Sequence, residues 1–228
     1  MSAALRHQFE EQLKGLQQDV LRMGMYVVQM LDLAMEALVA QDLALVERVI
    51  AMDDTADQMD REIEQTCLRL LALQQPMSKD LRIISTALKI IADLERIGDF
   101  SVDIAKTVRR LAHEPAVPLP SRMSEMSLCV KTLVEEALQA YVGHDLERVR
   151  RSIEMDDRVD DLYDKLFSEL LQQGDRDPSL FHQAVWLTYL IHFLERIADH
   201  AVNVAERVSY METGQFADLA LSHSSNSG

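Results

Sequence analysis

Two acidic motifs occur twice in this chain. Asp53 and Asp57, in Met52-Asp-Asp-x-x-Asp57, recur as Asp156 and Asp160 in Met155-Asp-Asp-x-x-Asp160. Glu95 and Asp99, in Leu94-Glu-Arg-Ile-Gly-Asp99, recur as Glu195 and Asp199 in Leu194-Glu-Arg-Ile-Ala-Asp199. Residues four apart on a helix stack on one face, so each pair presents two carboxylates to one point. A helix advances about 100° per residue, which places Asp53 and Asp57 about 20° to either side of Val46, on a stripe with Val49, Ile50, Glu64 and Cys67. Asp156 and Asp160 hold the same positions beside Val149, Ile153, Phe167 and Leu170. Glu95 lies inside the stripe of Ile84, Leu88, Ile91 and Val102 with Asp99 at its edge, and Glu195 and Asp199 repeat this beside Ile191 and Val202.

Four ionised carboxylates at a packing face repel one another and resist desolvation. Arginine partners relieve that, and so does a hard cation with oxygen ligands. A solvated patch neutralised by Arg61 and Arg96 is the alternative, and for one isolated pair it would be the better account. Recurrence of all four pairs in matched order and angular phase favours a metal or polar site. No Glu-x-x-His occurs, so the ligands of ferritin-like di-iron sites are missing. An all-oxygen set suits Mg, Mn, Fe or Ca ahead of structural zinc, although Zn tolerates carboxylates. Asp103 and its counterpart Asn203 form a candidate outer shell. Arg96 and Arg196 lie off the stripe and are expected in ion pairs. His200, matched by Phe100, is expected to pack or face solvent. Asp54, Asp157, Asp161 and Asp164 point away from the stripe, as ordinary surface charge.

The elements that must carry these residues are helices. Periodicity predicts them over about 3–40, 42–74, 77–112, 122–143, 145–173 and 178–212. Pro76 and Pro178 sit at the turns before the third and sixth, with Ser78 and Asp177 as predicted caps. The stretch from His113 to Ser121 contains Pro115, Pro118 and Pro120 and cannot continue a helix. Further matches, Glu36-Ala-Leu38 with Glu136-Ala-Leu138 and Asp42-Leu43 with Asp145-Leu146, extend the repeat. The predicted fold is all-α: two tandem three-helix bundles related by internal duplication, 1–112 and 122–212, joined by a linker over 113–121 and followed by a flexible tail, 213–228.

Composition agrees. Seven glycines and five prolines in 228 residues are too few turns for a sandwich, barrel or doubly wound sheet. Twelve methionines and 5% aromatics suit packed helices. Acidic residues outnumber basic ones, 38 to 23, for a net charge of −15, which argues against nucleic acid and anionic membrane partners. Residues Met1 to Gly15 carry charges and no apolar core, so no secretory signal is expected. Asp32 and Glu36 interrupt the most apolar run, so no membrane insertion is expected. Cys67 and Cys129 lack CxxC spacing and are expected as buried free thiols in a cytoplasmic chain.

At Leu94-Glu-Arg-Ile-Gly-Asp-Phe-Ser-Val-Asp103, Leu194-Glu-Arg-Ile-Ala-Asp-His-Ala-Val-Asn203 and the two Asp-Asp-x-x-Asp motifs, the chain resembles the PhoU family over nearly its whole length. The first half departs from the His-Ala-x-Asn that the family often carries and the second half keeps. The resemblance implies metal clusters of varying identity (Fe, Mg, Mn or Zn as divalent or trivalent ions) and frequent homodimers. It implies a cytoplasmic protein, peripheral at the inner membrane through protein partners, that negatively regulates phosphate uptake and the phosphate-starvation response. Its implied partners are the ATPase subunit of the phosphate ABC transporter and the phosphate-sensing histidine kinase. No Gly-rich phosphate loop, nucleophile elbow or HExxH suggests an enzyme. A carboxylate-bridged metalloenzyme and a metal-free helical scaffold are the alternatives.

Overall fold

The computed structural model describes residues 3–74, 76–114 and 119–215. Among them there are helices and no strand: α1 (Ala3–Ala40), α2 (Leu43–Gln74), α3 (Ser78–Leu111), α4 (Ser121–Gly143), α5 (Leu146–Arg176) and α6 (Phe181–Thr213), with a 3-10 turn, Pro178–Leu180, before α6. Helices α1–α3 pack as one three-helix bundle and α4–α6 as the second. The predicted helices are all present. The predicted tail lies outside the described residues beyond Gln215, as does the linker at 115–118.

The spacing of apolar residues sets this packing. On α1, Phe9, Leu13, Leu16, Val20, Met23, Val27, Met30, Ala34 and Ala37 are buried. They alternate in steps of four and three, the 3.5-residue period that turns one seam toward neighbouring helices at a shallow crossing angle. By length and composition the span from Arg6 to Ala40 is apolar enough to cross a bilayer, despite Asp32 and Glu36, a test that the core helix of a bundle also passes. Yet 61% of its most apolar window is buried inside the protein, because this is the helix that fills the first bundle.

The two halves build their first turn alike. Gln41 and His144 take left-handed backbone angles, φ 52° and 54°. The next residues, Asp42 and Asp145, donate their amides to the carbonyls of Ala37 and Ala140 at 3.2 and 3.1 Å. Asp42 Oδ1 then accepts from the amide of Ala44, and Asp145 Oδ1 from that of Glu147, capping α2 and α5. Asp177, expected to cap the sixth helix, caps the 3-10 turn before it, accepting from the Ser179 amide, and Leu180 precedes α6 without a side-chain cap. Ser78 does not cap α3: Met77 holds that position without a side-chain bond, and Ser78 is already helical. Pro178 begins a turn of its own, so α5 runs on to Arg176 and α6 starts later than the periodicity suggested.

The bundles do not hang from the linker as separate beads. One continuous apolar core runs through all six helices. Helix α3 packs on α6, and α1 on α4, so each of these helices meets its own repeat equivalent. Such self-pairing is what a pseudo-two-fold axis requires. Side chains at the seam obey it. The Asp93 carboxylate lies 2.9 Å from His200 Nδ1, and the repeat-related pair, Phe193 and Phe100, stacks at 6.0 Å between ring centroids. The α1–α4 contact is close at Gly24, where a Cβ would collide with the Leu138 side chain. Gly24→Val should therefore destabilise the protein by about 1–3 kcal/mol through overpacking. Adding Leu138→Ala should recover part of that in urea unfolding; a double variant as unstable as the sum of the two singles would refute the contact.

Candidate functional site

Helices α2 and α3 present Asp53, Asp57, Glu95 and Asp99 along one groove, and each is half-buried. They lie on the flank of the packing stripe, where water still reaches them: the side chains of Glu95 and Asp99 remain 32% and 36% exposed. The four carboxylates act on one another across the groove. Burial pushes the Asp53 carboxyl above its ordinary value, and Asp57 and Asp99 add to this against Lys106. Burial likewise raises Glu95, with Asp99, Asp57 and Asp60 adding and Arg96 opposing.

Asp60 belongs to this set, and the sequence reading did not include it. Burial raises its carboxyl too, followed by Glu64 and Asp57. It stands seven residues beyond Asp53, two helical turns along the same face, so the signal was present at i+7. The same step from Asp156 reaches Tyr163. That exchange makes the two sites chemically unequal: a fifth carboxylate in the first bundle is replaced by a phenol at the equivalent position of the second.

In the second bundle the carboxyl of Glu195 is pushed up by burial, then by Asp199 and Asp160, with His192 and Arg196 opposing. Glu195 Oε2 is shielded from solvent and makes no hydrogen bond; His192 Nδ1 lies 3.3 Å away, within ion-pair reach but outside hydrogen-bond geometry. Tyr163 is raised by burial and by Glu195, which places the phenol beside the cluster. Asp156 is half-buried on α5, and its charge acts on the Cys129 thiol of α4. Asp160 is exposed.

Arginines neutralise part of each set. Arg96 Nη1 lies 3.0 Å from Asp99 and Arg196 Nη1 2.7 Å from Asp199, as the off-stripe positions predicted, while Arg61 reaches Asp57 at 3.6 Å. Asp103 pairs with Lys106 at 3.4 Å, and Asn203 donates to Asp93 at 3.4 Å, toward the seam between the bundles. His200 packs there as expected, with the Asp93 carboxylate 2.9 Å from its Nδ1. Asp54, Asp157, Asp161 and Asp164 are exposed, as predicted. Cys67 and Cys129 are free and buried, and burial pushes the Cys67 thiol up to about 12.

A hard cation suits this chemistry: the donors are oxygens, they raise one another, and one shielded oxygen at Glu195 lacks a hydrogen bond. With the side chains as they stand, no three His, Cys, Asp or Glu among the described residues are close enough to hold one ion.

Comparisons with known proteins agree with this arrangement. The family model for the PhoU domain matches residues 20–108 and again 123–208, one match per bundle. The phosphate-specific transport system accessory protein PhoU homolog of Clostridium acetobutylicum is 40% identical over 212 residues, covering 92% of this chain and 97% of that one. The crystal structure of PhoU from Pseudomonas aeruginosa superposes with a TM-score of 0.87 at 33% identity, over 91% of this chain and 100% of that chain. That of the phosphate transport system regulatory protein PhoU from Streptococcus pneumoniae gives 0.85 at 30% identity, over 92% and 99%. These relatives are named as accessory or regulatory proteins rather than enzymes. With both repeats matched and whole-length relatives at such identity, the chain belongs to the PhoU family.

Proposed function

We propose that this protein is a negative regulator of phosphate uptake and of the phosphate-starvation response. It acts in the cytoplasm as a non-enzymatic, metal-binding adaptor between the phosphate ABC transporter, through its ATPase subunit, and the phosphate-sensing histidine kinase. The observation that carries this reading is whole-length likeness to proteins named for accessory and regulatory roles in phosphate transport. Asp53, Asp57, Glu95 and Asp99 hold one metal cluster and Asp156, Asp160, Glu195 and Asp199 the other, with Asp103 and Asn203 outside them. A bound cation (Fe, Mg, Mn or Zn) supplies positive charge that the arginines provide only in part. The protein works as a homodimer and meets the membrane through its protein partners. Docking between charged surfaces predicts faster association at low salt, since the −15 chain steers toward basic patches.

Deletion tests the assignment. Cells lacking the protein should express phosphate-starvation genes in phosphate-rich medium and accumulate phosphate. Normal repression in the deletion strain would remove the regulatory reading.

A further inference from the structure

Between α5 and α6, on the second bundle alone, lies an open cleft of about 390 Å³. Its floor is Leu170 and Ala184, both buried, and its walls carry Leu171, Phe181 and Tyr189, which are 53%, 57% and 51% exposed. Tyr163 and His192 close one end. At the other, Gly174 lets the start of α6 approach, with Phe181 Cδ2 3.6 Å from where a Cβ would stand.

The fold itself does not require these side chains. The first bundle builds the same helix pair with Leu81 in place of Phe181, Lys89 in place of Tyr189, Ala92 in place of His192 and Asp60 in place of Tyr163. The exposed aromatic wall is thus an addition to one repeat, and an exposed apolar patch of this kind marks an interaction surface. Its edge is acidic: Asp175 lines the cleft, and the exposed Asp164 lies on the same α5 face, seven residues before Leu171.

We propose that this cleft docks an amphipathic helix of a partner protein, with apolar anchors at i, i+3 or i+4 and i+7 and Lys or Arg along its sides. From Tyr163 to Asp175 the cleft runs about 18 Å, some three helical turns. A groove between two helices seats a third by side-chain interdigitation, and no strand edge exists among the described residues for an extended peptide to join. A second copy of this chain is the poorer occupant, because its acidic surface would meet the Asp164 and Asp175 edge with like charge. This inference rests on the adaptor reading above and names one docking face for it.

The test uses the full-length protein and a fluorescent 14-residue peptide of Leu and Lys, with Leu at the anchor spacing, followed by fluorescence anisotropy at physiological salt. The wild type should bind. Phe181→Leu with Tyr189→Lys, which installs the first bundle's residues, should weaken binding at least about tenfold. Leu68→Lys, at the exposed position of α2 that matches Leu171, should leave binding unchanged, and a scrambled peptide of equal charge should bind far more weakly. Leu171→Asp serves as a second cleft variant, so a folding defect in one leaves the other decisive. Equal binding by wild type and cleft variants would overturn the proposal, and so would equal binding of the scrambled peptide. Loss of a homodimer on substitution, without peptide binding, would assign the cleft to a second copy instead. None of these outcomes depends on gene repression, so failure here leaves the deletion test standing.

Discussion

Adding cation to the metal-stripped protein should raise its melting temperature by about 5–10 °C. Binding to the folded state alone contributes about 2.7 kcal/mol per site at a hundred times the dissociation constant, and each kcal/mol shifts a chain of this size by about 2–4 °C, so a rise of that size marks one filled cluster and filling both should double it. Mg, Mn, Fe and Zn salts are the ions to try. Replacing Asp53, Glu95, Asp156 and Glu195 by their amides should abolish the shift, and the metal-free variant should melt slightly above the metal-free wild type. That second effect follows from the raised carboxyls of Asp53, Glu95 and Glu195, which the folded state disfavours in their charged form. Solvent screening limits the gain, since the side chains of Glu95 and Glu195 are 32% and 27% exposed, so it should be on the order of 1 kcal/mol.

The pH dependence has a definite sign. A carboxyl raised in the folded state binds its proton more tightly there than in the unfolded chain. Its favourable contribution is present below the unfolded value and is lost as pH rises through the higher folded value. Metal-free protein should therefore lose stability from these groups as pH climbs upward from about 4. Cation competes with the protons, so added metal should stabilise more as pH rises over the same window. A melting temperature unmoved by all four metals, with amide variants no more stable than wild type, would leave the carboxylates as solvated surface charge held by Arg96 and Arg196.

Local periodicity made the helices legible. The four-and-three alternation of Phe9 to Ala37, and the paired Asp42-Leu43 and Asp145-Leu146 turns, depend only on residues close in sequence. The carboxylate pairs were legible for the same reason, because i and i+4 share a face whatever the partner helix is. Asp60 and Tyr163 escaped a search for pairs although they extend the same face by two turns. Ser78 misled because Pro76 signals a helix start without fixing which residue occupies the cap. The seam between the bundles was not legible at all. Asp93 meeting His200, and Phe100 meeting Phe193, depends on a two-fold axis relating α3 to α6, and no pattern within one repeat encodes it. The α5–α6 cleft was not legible for a related reason: Phe181, Tyr189 and Leu171 are exposed because no further helix among the described residues covers them.

That seam makes a prediction with the larger effect on stability. Ile97 on α3 and its repeat equivalent Ile197 on α6 are both fully buried. Truncating a buried Ile to Ala removes apolar area and leaves a cavity, at about 2–5 kcal/mol. Each of Ile97→Ala and Ile197→Ala should therefore lower the melting temperature by about 5–20 °C. The shape of the transition tests the architecture. If the bundles were beads on a linker, each would melt alone, and Ile97→Ala would shift one transition while leaving the other in place. Because α3 packs on α6 and α1 on α4 within one continuous core, unfolding one bundle exposes the apolar face of the other. Both variants should then give a single calorimetric transition, displaced as a whole, with van't Hoff and calorimetric enthalpies equal. Two resolved transitions, one unmoved by Ile97→Ala and the other unmoved by Ile197→Ala, would show that the seam is too weak to couple the repeats. Coupling matters for an adaptor, since only bundles that unfold and shift together can pass a change at one carboxylate groove to a surface on the other.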